Sequence, residues 1–467
     1  MNVWVRCGVT GLCAAIGVVA GVVVAGPLDP PAGPVAPTYK TLVEVEPRIA
    51  VNATNTPGDG DSHFKITQSG SYYLTGNIVG TERSHGIEIA ADSVVLDLNG
   101  FSVISSGLGL DGISTAGTPR VSITIRNGVV SAWGTGGVDL QGTGHVIENV
   151  HTRVNNGVGI AVGATAIIRS CQASGNQGAG ITASDGSTIN DSAAGSNTGA
   201  GISVAEGCTL NNCVAKSNGA VGFAVGGGCV LTGCSAADNT GIGILTSDSG
   251  LNDGGTTITG CSTSGNGADG IRGTIATTIS QCAARRNTGA GFVVSFGGTV
   301  TGSSASFNTG GGFGGNTGCT FDRCTAFNNG GVGFAPGNAG AVINCTSRAN
   351  SLDGIDAANF CVISGNTCSG NGPTVAGGSG ILVTGTDCRV EGNNCDGNDD
   401  FGIEVSGTGN IIIRNTCTGN TVNWAIVANN YFGPIINRVG AATAAQGGNG
   451  TGVDGLSSTH PNANFSY

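Results

Sequence analysis

Two consecutive segments, ITASDGSTINDSAAGSNTGAG (181–201) and ISVAEGCTLNNCVAKSNGAVG (202–222), align residue by residue without a gap. The same 21-residue pattern recurs from Ile160 to Ile355, with apolar, thiol or hydroxyl, alanine and asparagine positions at constant offsets. Its most regular members are the asparagines Asn176, Asn197, Asn218, Asn239, Asn287, Asn308, Asn329 and Asn350. Strict self-similarity at this period predicts a solenoid in which each repeat forms one coil.

The coils are predicted to be strands rather than helices. Short runs such as Gly201–Val204 alternate apolar and polar residues between turns rich in Gly, Asn and Ser, a pattern typical of strands. A leucine-rich repeat, the other solenoid of this period, would need a leucine framework and a helical side. We therefore predict an all-β parallel β-helix of about 16 coils of about 21 residues, with about three short strands in each coil.

Equivalent residues of successive coils should form columns with about 4.7–4.9 Å between members. We interpret the asparagine column as a structural element at a tight turn. Asparagine tolerates left-handed backbone conformation, and stacked amides can hydrogen-bond along the column. Extra residues within Thr246–Gly255 and Gly372–Ser379 are predicted to form loops on the side of the solenoid.

The ends of the chain depart from the repeat. Residues 1–25 combine a basic start, an apolar run and a small-residue cleavage signal, which predicts a secretory signal peptide; the alternative is an uncleaved membrane anchor. We assign 26–38 as a Pro-rich linker, 39–80 as an N-terminal cap, 81–440 as the β-helix and 441–467 as a C-terminal tail or cap. The protein is expected to be secreted, periplasmic or at the cell surface, with no membrane span after signal removal.

Fifteen of the 17 cysteines follow the signal segment, an odd number that cannot all pair. Most share a column with serine, which favours buried thiols that act as small hydrophobic side chains. The alternative is a disulfide, for which Cys208 and Cys229 in adjacent coils are the candidates.

The formal net charge is −11, although only 10% of the residues are charged. This balance argues against a nucleic-acid partner, because phosphates would be repelled. It also disfavours an acidic polysaccharide, unless calcium or a local basic patch intervenes. The sequence does not determine the oligomeric state.

The repeat Asn-x-x-x-Gly-[Ile/Phe] and the stretch VVLDLNG (94–100) resemble the right-handed parallel β-helix superfamily typified by pectate lyases. More narrowly, Lys40–Arg48, Gly70–Asn77 and Ala463–Tyr467 resemble the conserved ends of an uncharacterised group of exported bacterial β-helix proteins. These resemblances imply a right-handed solenoid and export. They imply no reaction, since a fold does not dictate a function.

No complete catalytic motif of the enzymes built on this scaffold is present. The chain lacks the Gly-His-Gly, Arg-Ile-Lys, Asp-Pro-His-Asp and Arg-x-Pro-x-x-Arg motifs, and Asp399-Asp400 is its only Asp-Asp pair. The five histidines lie outside the regular coils or near the N-terminal end, and we expect them at the surface: His63, His85, His145, His151 and His460.

Two groups of residues are candidate sites. Outward positions beside the asparagine turn present a cationic and aromatic row that an acidic sugar would suit: Arg285, Arg286, Phe307, Phe327 and Arg348. No cofactor is expected, but oxygen ligands near the C-terminal end could hold calcium, although no calcium-loop spacing is present: Asp396, Asp399, Asp400 and Glu404. The competing interpretations are scattered solvated side chains and a solvated acidic end.

The sequence as a whole favours a structural, adhesive or glycan-binding rod without a catalytic set, whose partner would be a polysaccharide or cell-surface glycan. The alternative is a polysaccharide lyase or glycoside hydrolase that acts on an acidic polysaccharide. Both use the same scaffold, so only the geometry of the candidate sites can separate them.

Overall fold

The computed structural model describes residues 46–247, 254–373, 377–437 and 460–467. Contacts divide the chain after Pro47 into two units, and every strand given below belongs to the second unit, Arg48–Tyr467. The segments interpreted as signal peptide and linker, and most of the C-terminal tail, lie outside the described residues. Those three assignments stay predictions.

Each coil contributes up to three strands, which we call first, second and third in chain order. The first strands are Ser62–Ile66, His85–Ile89, Ile113–Ser114, Val138–Thr143, Ile160–Ala164, Ile181–Ala183, Ile202–Val204, Phe223–Val225, Ile244–Thr246, Ile271–Gly273, Phe292–Val294, Phe313–Gly315, Phe334–Ala335, Ile355–Ala357, Ile381–Val383, Phe401–Val405 and Val422–Ile426. The second strands are Gly70–Tyr73, Val94–Asp97, Ile167–Arg169, Thr188–Asn190, Thr209–Asn211, Val230–Thr232, Thr257–Thr259, Thr278–Ser280, Thr299–Thr301, Thr320–Asp322, Ala341–Ile343, Val362–Ser364, Arg389–Glu391, Ile411–Ile413 and Tyr431–Phe432.

The third strands are Ile78–Val79, Ser102–Ile104, Gln172–Ser174, Ala193–Gly195, Val214–Lys216, Ser235–Ala237, Ser262–Ser264, Ala283–Arg285, Ser304–Ser306, Thr325–Phe327, Thr346–Arg348, Thr367–Ser369, Asn394–Asp396, Thr416–Thr418, Ile435–Asn437 and Asn464–Ser466. Thr124–Ser131 and Val146–Arg153 run continuously through the second and third positions. Two short strands, Ile49–Ala50 and Arg120–Val121, add to the edges of these stacks.

Like strands of successive coils pair in parallel, and the regular coils do so at an offset of 21 residues. Ile160, Ile181 and Ile202 are partners in one column, and Ile168 and Ile189 are partners in another. Among the described residues no helix occurs, and hence none that could cross a membrane. The predicted all-β parallel solenoid is therefore confirmed.

The number of coils is slightly larger than predicted, at about 18 rather than about 16. Part of the difference lies at the N-terminal end, where Ser62–Ile66 pairs in parallel with His85–Ile89 and Gly70–Tyr73 pairs with Val94–Asp97. Regular stacking thus begins inside the segment that the sequence assigned to a cap. At the other end, Asn464–Ser466 lies between Thr416–Thr418 and Ile435–Asn437 and pairs in parallel with both.

The inward-facing side chains of the strands fill the interior, and equivalent side chains of successive coils stack in columns. In the regular coils from Ile160 to Ile355, the inward residues that open the first strands are Ile or Phe and those of the second strands are Ile, Leu, Val or Phe, all fully buried. Phe292, Phe313 and Phe334 stack face to face, with ring centroids 4.8 and 4.7 Å apart. Face-to-face contact follows from the parallel register, which sets equivalent side chains one strand spacing apart.

The three turns of a coil share one backbone conformation. A residue in the left-handed region precedes a buried turn residue, as Gly186 precedes Ser187, Asp191 precedes Ser192, and Ser196 precedes Asn197. The prediction that the ladder asparagines themselves are left-handed is therefore wrong. The left-handed position is the one before each asparagine, where glycine, serine and aspartate recur.

The asparagine ladder is longer than the strict repeat. Each backbone N–H donates to the side-chain oxygen of the next asparagine, and each side-chain amide donates to that same oxygen, as Asn197 does to Asn218 at 3.1 and 3.0 Å. The amide also donates to a carbonyl of the preceding coil, here that of Ala173. The members are Asn155, Asn176, Asn197, Asn218, Asn239, Asn266, Asn287, Asn308, Asn329, Asn350, Asn371, Asn398 and Asn420.

At the two turns of a coil that do not carry the asparagine ladder, cysteine, serine and asparagine replace one another from coil to coil. Each of these side chains supplies both a hydrogen-bond acceptor and a hydrogen-bond donor. Cys234 N–H donates to the Cys261 sulfur at 3.4 Å, Cys282 N–H to the Ser303 hydroxyl at 3.1 Å, and Cys345 N–H to the Asn366 side chain at 2.8 Å. All 15 described cysteines are free and buried. Their thiols also hydrogen-bond, so they do more than fill space.

Candidate functional site

The predicted row of basic and aromatic residues lies on the outer face of four adjacent coils. Arg285, Phe327 and Arg348 end third strands and occupy one column, with Ser306 between the first two. Arg286 and Phe307 occupy the left-handed turn position next to that column. We call Arg285, Arg286, Phe307, Phe327 and Arg348 the arginine–phenylalanine strip.

Members of the strip contact one another. The guanidinium carbon of Arg285 lies 5.3 Å from the ring centroid of Phe307. The rings of Phe307 and Phe327 meet edge to face, with centroids 5.4 Å apart and an interplanar angle of 87°. The structure therefore brings these side chains together, as their equivalent positions in the repeat predicted. Their role in binding a ligand stays a prediction.

The arginines of the strip differ from neighbouring arginines in their charge environment. Arg272 pairs with Asp269, and Arg323 pairs with Asp322 at 2.8 Å. Within the part of the chain that the structure describes, Arg285, Arg286 and Arg348 have no carboxylate in ion-pair distance. Three uncompensated guanidinium groups make this face a positive patch on a protein of net charge −11.

The backbone of the strip carries strain. Arg286 and Phe307 have φ angles of 54° and 56°, a region that costs a non-glycine residue about 1–2 kcal/mol. Other members of this column are smaller, including Gly265, Asn328 and Ala349, although Val154 is another large one. Phe307 nevertheless leaves 40% of its surface exposed, so burial of the ring does not account for its presence there.

A row of hydroxyl groups runs beside the strip. Ser304, Thr325 and Thr346 begin the same third strands, are partners in one column and are exposed. The face thus offers hydroxyl donors and acceptors, guanidinium donors and two aromatic rings within about 15 Å. Such a face can bind a polar ring that carries a negative charge.

The structure does not gather the four predicted calcium ligands into one cluster, and their role in binding calcium stays a prediction. Asp396 ends a third strand, Asp399 and Asp400 lie in the turn, and Glu404 lies on a first strand, where its Oε2 accepts a hydrogen bond from the Ser379 hydroxyl at 3.0 Å. No three of them bring ligand oxygens within 4.8 Å of one another. These residues are near one another in sequence but not in space, because the chain turns from the third-strand face to the first-strand face between Asp396 and Glu404.

Two half-buried carboxyl groups on the first-strand face, those of Asp353 and Asp356, were not among the predicted site residues. Burial raises the pKa of Asp353 to about 6, although the Ser379 N–H donates to it at 2.7 Å; Asp356 and Glu404 raise it further. Burial also raises the pKa of Asp356. A carboxyl group that is half protonated near pH 6 is suited to proton transfer. The signal in the sequence was only that Asp353 precedes a coil start by two residues.

A second group lies on the first-strand face near the N-terminal end. Asp139 borders a shallow groove of about 450 Å³, and its pKa is raised by burial and by Asp111 but lowered by His85. The Asp111 N–H donates to His85 Nδ1 at 3.2 Å. His85 and His145 are both buried, so the expectation that all five histidines lie at the surface is wrong.

Comparisons with known proteins support the fold. Residues 66–230 match the family model described as "Right handed beta helix region". No curated protein matches the chain.

Three solved structures show likenesses. They are the Azotobacter vinelandii mannuronan C-5 epimerase AlgE6 A-module (16% identity, 78% of this chain and 89% of that one, TM-score 0.30), the periplasmic alginate epimerase AlgG (11%, 82% and 80%, 0.23) and a tailspike protein of E. coli bacteriophage HK620 in complex with pentasaccharide (12%, 79% and 79%, 0.37). At these TM-scores the likenesses do not bear on the activity of this chain.

The family match begins in the coil of Ser62–Ile66, and the same parallel register continues past its end to Asn464–Ser466. The matched region and the unmatched coils thus share one architecture. The narrower resemblance to exported bacterial proteins stays a prediction. The described residues fold as a parallel β-helix, and residues 66–230 are similar to the right-handed β-helix family.

Proposed function

We propose that the protein is an exported or cell-surface rod that binds an acidic polysaccharide through the arginine–phenylalanine strip. The observation that carries the proposal is the set of three arginines without a carboxylate partner beside two phenylalanine rings in mutual contact. Because these guanidinium groups have no carboxylate partner among the described residues, they can pair with a negatively charged ligand. A net charge of −11 would by itself repel an acidic polymer, but the strip provides a local positive patch to which such a polymer can bind.

The chemistry of each group fits this ligand. A guanidinium group donates two parallel hydrogen bonds to a carboxylate, which favours uronate or similarly charged sugars over neutral ones. A phenylalanine ring offers an apolar face to a sugar ring, and the neighbouring Ser and Thr hydroxyls can bond to its hydroxyl groups. Column spacing places these groups along the axis of the solenoid, so an extended chain can contact several coils.

Binding at one strip should be weak. Exposed charge contacts contribute about 0.2–1 kcal/mol each, because water and salt screen them. A long polymer that bridges several rods would bind more tightly, since the second contact becomes intramolecular. We therefore expect weak affinity for oligosaccharides, stronger retention on the polymer, and a steep loss of both as ionic strength rises.

Substitution of two strip arginines tests the proposal. Arg285→Ala/Arg348→Ala is expected to lower affinity for an immobilised polyuronate about tenfold, because two contacts of about 0.7 kcal/mol each are lost. The measurement is surface plasmon resonance at low salt, with a neutral polysaccharide on a reference channel. Arg323→Ala is the matched control, since Arg323 is also exposed but pairs with Asp322. Equal binding by the double variant and the wild type would refute the proposal.

Cleavage of an acidic polysaccharide is the second candidate function. It is favoured by the raised pKa values of Asp353 and Asp356 beside Glu404, since paired carboxyl groups in different protonation states are the usual requirement for glycoside hydrolysis. New reducing ends or unsaturated products from the wild type, absent with Asp353→Asn, would establish this function. Binding without products would leave recognition as the function.

A further inference from the structure

Three carboxylates converge near the N-terminal end of the solenoid, on the loop 58–61 and the first strand of the next coil. Asp59, Asp61 and Glu88 each offer one oxygen such that the three oxygens lie within 4.8 Å of one another. Asp59 and Asp61 flank Gly60, and Asp61 directly precedes the strand Ser62–Ile66. That strand pairs in parallel with His85–Ile89, which brings Glu88 beside Lys65.

One positive charge faces these three negative charges. Lys65 Nζ lies 2.7 Å from Asp59 Oδ2 and 2.8 Å from Glu88 Oε1. The remaining Asp59 oxygen accepts hydrogen bonds from the Asp61 N–H and the Ser62 hydroxyl. The group therefore keeps a formal charge of about −2 after Lys65 is counted.

Glu88 supplies the observation that points to a ligand. Only 9% of its side chain is exposed, and its Oε2 has no hydrogen-bond partner among the described residues. A buried carboxylate oxygen without a partner is costly, because it has lost its water and gained nothing in return. A cation bound by Glu88 together with Asp59 and Asp61 would give this carboxylate a second partner besides Lys65.

We propose that Asp59, Asp61 and Glu88 form a calcium site that fixes the loop 58–61 to the first coils of the solenoid. Three carboxylate oxygens that lie within 4.8 Å of one another can all reach one calcium ion at about 2.4 Å. Magnesium fits less well, since it requires near-octahedral geometry at about 2.0–2.1 Å and keeps most of its water.

Calcium titration of the full-length protein tests the site, with calcium chloride as the probe. Isothermal titration calorimetry is expected to show binding at this site, and the unfolding temperature should rise with calcium but much less with magnesium or with sodium chloride of equal ionic strength. Glu88→Gln is expected to weaken calcium binding at least about tenfold, the lower end of what even an indirect metal contact contributes. The matched control is Glu82→Gln, which removes an exposed negative charge near the same end of the solenoid.

In the presence of a chelator, Glu88→Gln should change the unfolding temperature little, because the lost ion pair with Lys65 is offset by removal of a buried charge whose second oxygen has no partner. If Glu88→Gln fails to fold, Asp61→Asn replaces it, since the Asp61 carbonyl keeps its bond to the His85 N–H. The proposal is overturned if the wild type shows no calcium-dependent shift at millimolar calcium. An unchanged calcium affinity in whichever of these variants folds would overturn it equally.

Discussion

Asn308→Ala is expected to destabilise the solenoid by about 3–5 kcal/mol. The Asn308 side-chain oxygen accepts the backbone N–H and the side-chain amide of Asn287, both at 3.0 Å. Its amide donates to the Ala284 carbonyl and to Asn329. Truncation leaves several buried polar groups without partners, and each costs about 1–3 kcal/mol. The lost stability should appear as a lower urea midpoint.

The control for this substitution is Asn394→Ala. Asn394 is an exposed member of a third strand and lies outside the ladder, so its loss should change stability by less than about 0.5 kcal/mol. Hydrogen exchange should locate the damage, with faster exchange of the N–H groups of Asn287 and Asn308 and little change five coils away, because each coil contacts only its neighbours. An effect of Asn308→Ala no larger than that of the control would show that the ladder is dispensable.

Phe313→Ala is expected to cost about 3–5 kcal/mol through loss of packing. Phe313 is 1% exposed, stacks between Phe292 and Phe334, and contacts the Phe321 ring at a centroid distance of 5.7 Å. Its removal opens a cavity in a column whose members are held apart by hydrogen bonds between backbones, so the neighbours cannot collapse into the space. The measurement is again the urea midpoint.

Two further substitutions make the Phe313 result specific. Phe296→Ala removes an exposed ring in the same region and should leave stability within about 1 kcal/mol. Phe313→Leu should recover roughly half of the loss, because the space is partly refilled by an apolar side chain of suitable size. A small effect of Phe313→Ala would mean that the stacked rings contribute little beyond the neighbouring aliphatic columns.

Periodicity alone predicted which residues share a column, and this extended to the arginine–phenylalanine strip. Arg285, Phe327 and Arg348 are equivalent in the repeat, so parallel stacking had to align them. Periodicity does not report φ, however. The left-handed residue was assigned to asparagine by propensity, whereas the asparagine faces inward and the preceding residue takes the strained conformation. Hydrogen bonding by the buried thiols was missed because cysteine and serine were compared by size only.

The sites that the sequence missed lie where the spacing is irregular. The first strands around His85, Asp111 and Asp139 are separated by more than 21 residues. The 21-residue period therefore could not predict which of their side chains are neighbours. The convergence of Asp59, Asp61 and Glu88 also depends on a loop outside the repeat. Conversely, Asp396 and Glu404 are close in sequence but belong to different sheets.

Because the hydrogen bonds of the ladder join residue i to residue i+21 through most of its length, the molecule is modular along its axis. Excision of one complete unit, such as 202–222, would join Gly201 to Phe223, both already in the correct register. Gain or loss of whole units during evolution could therefore lengthen or shorten the protein in steps of about 4.8 Å. A deletion of 10 or 11 residues would instead oppose unlike columns and abolish folding.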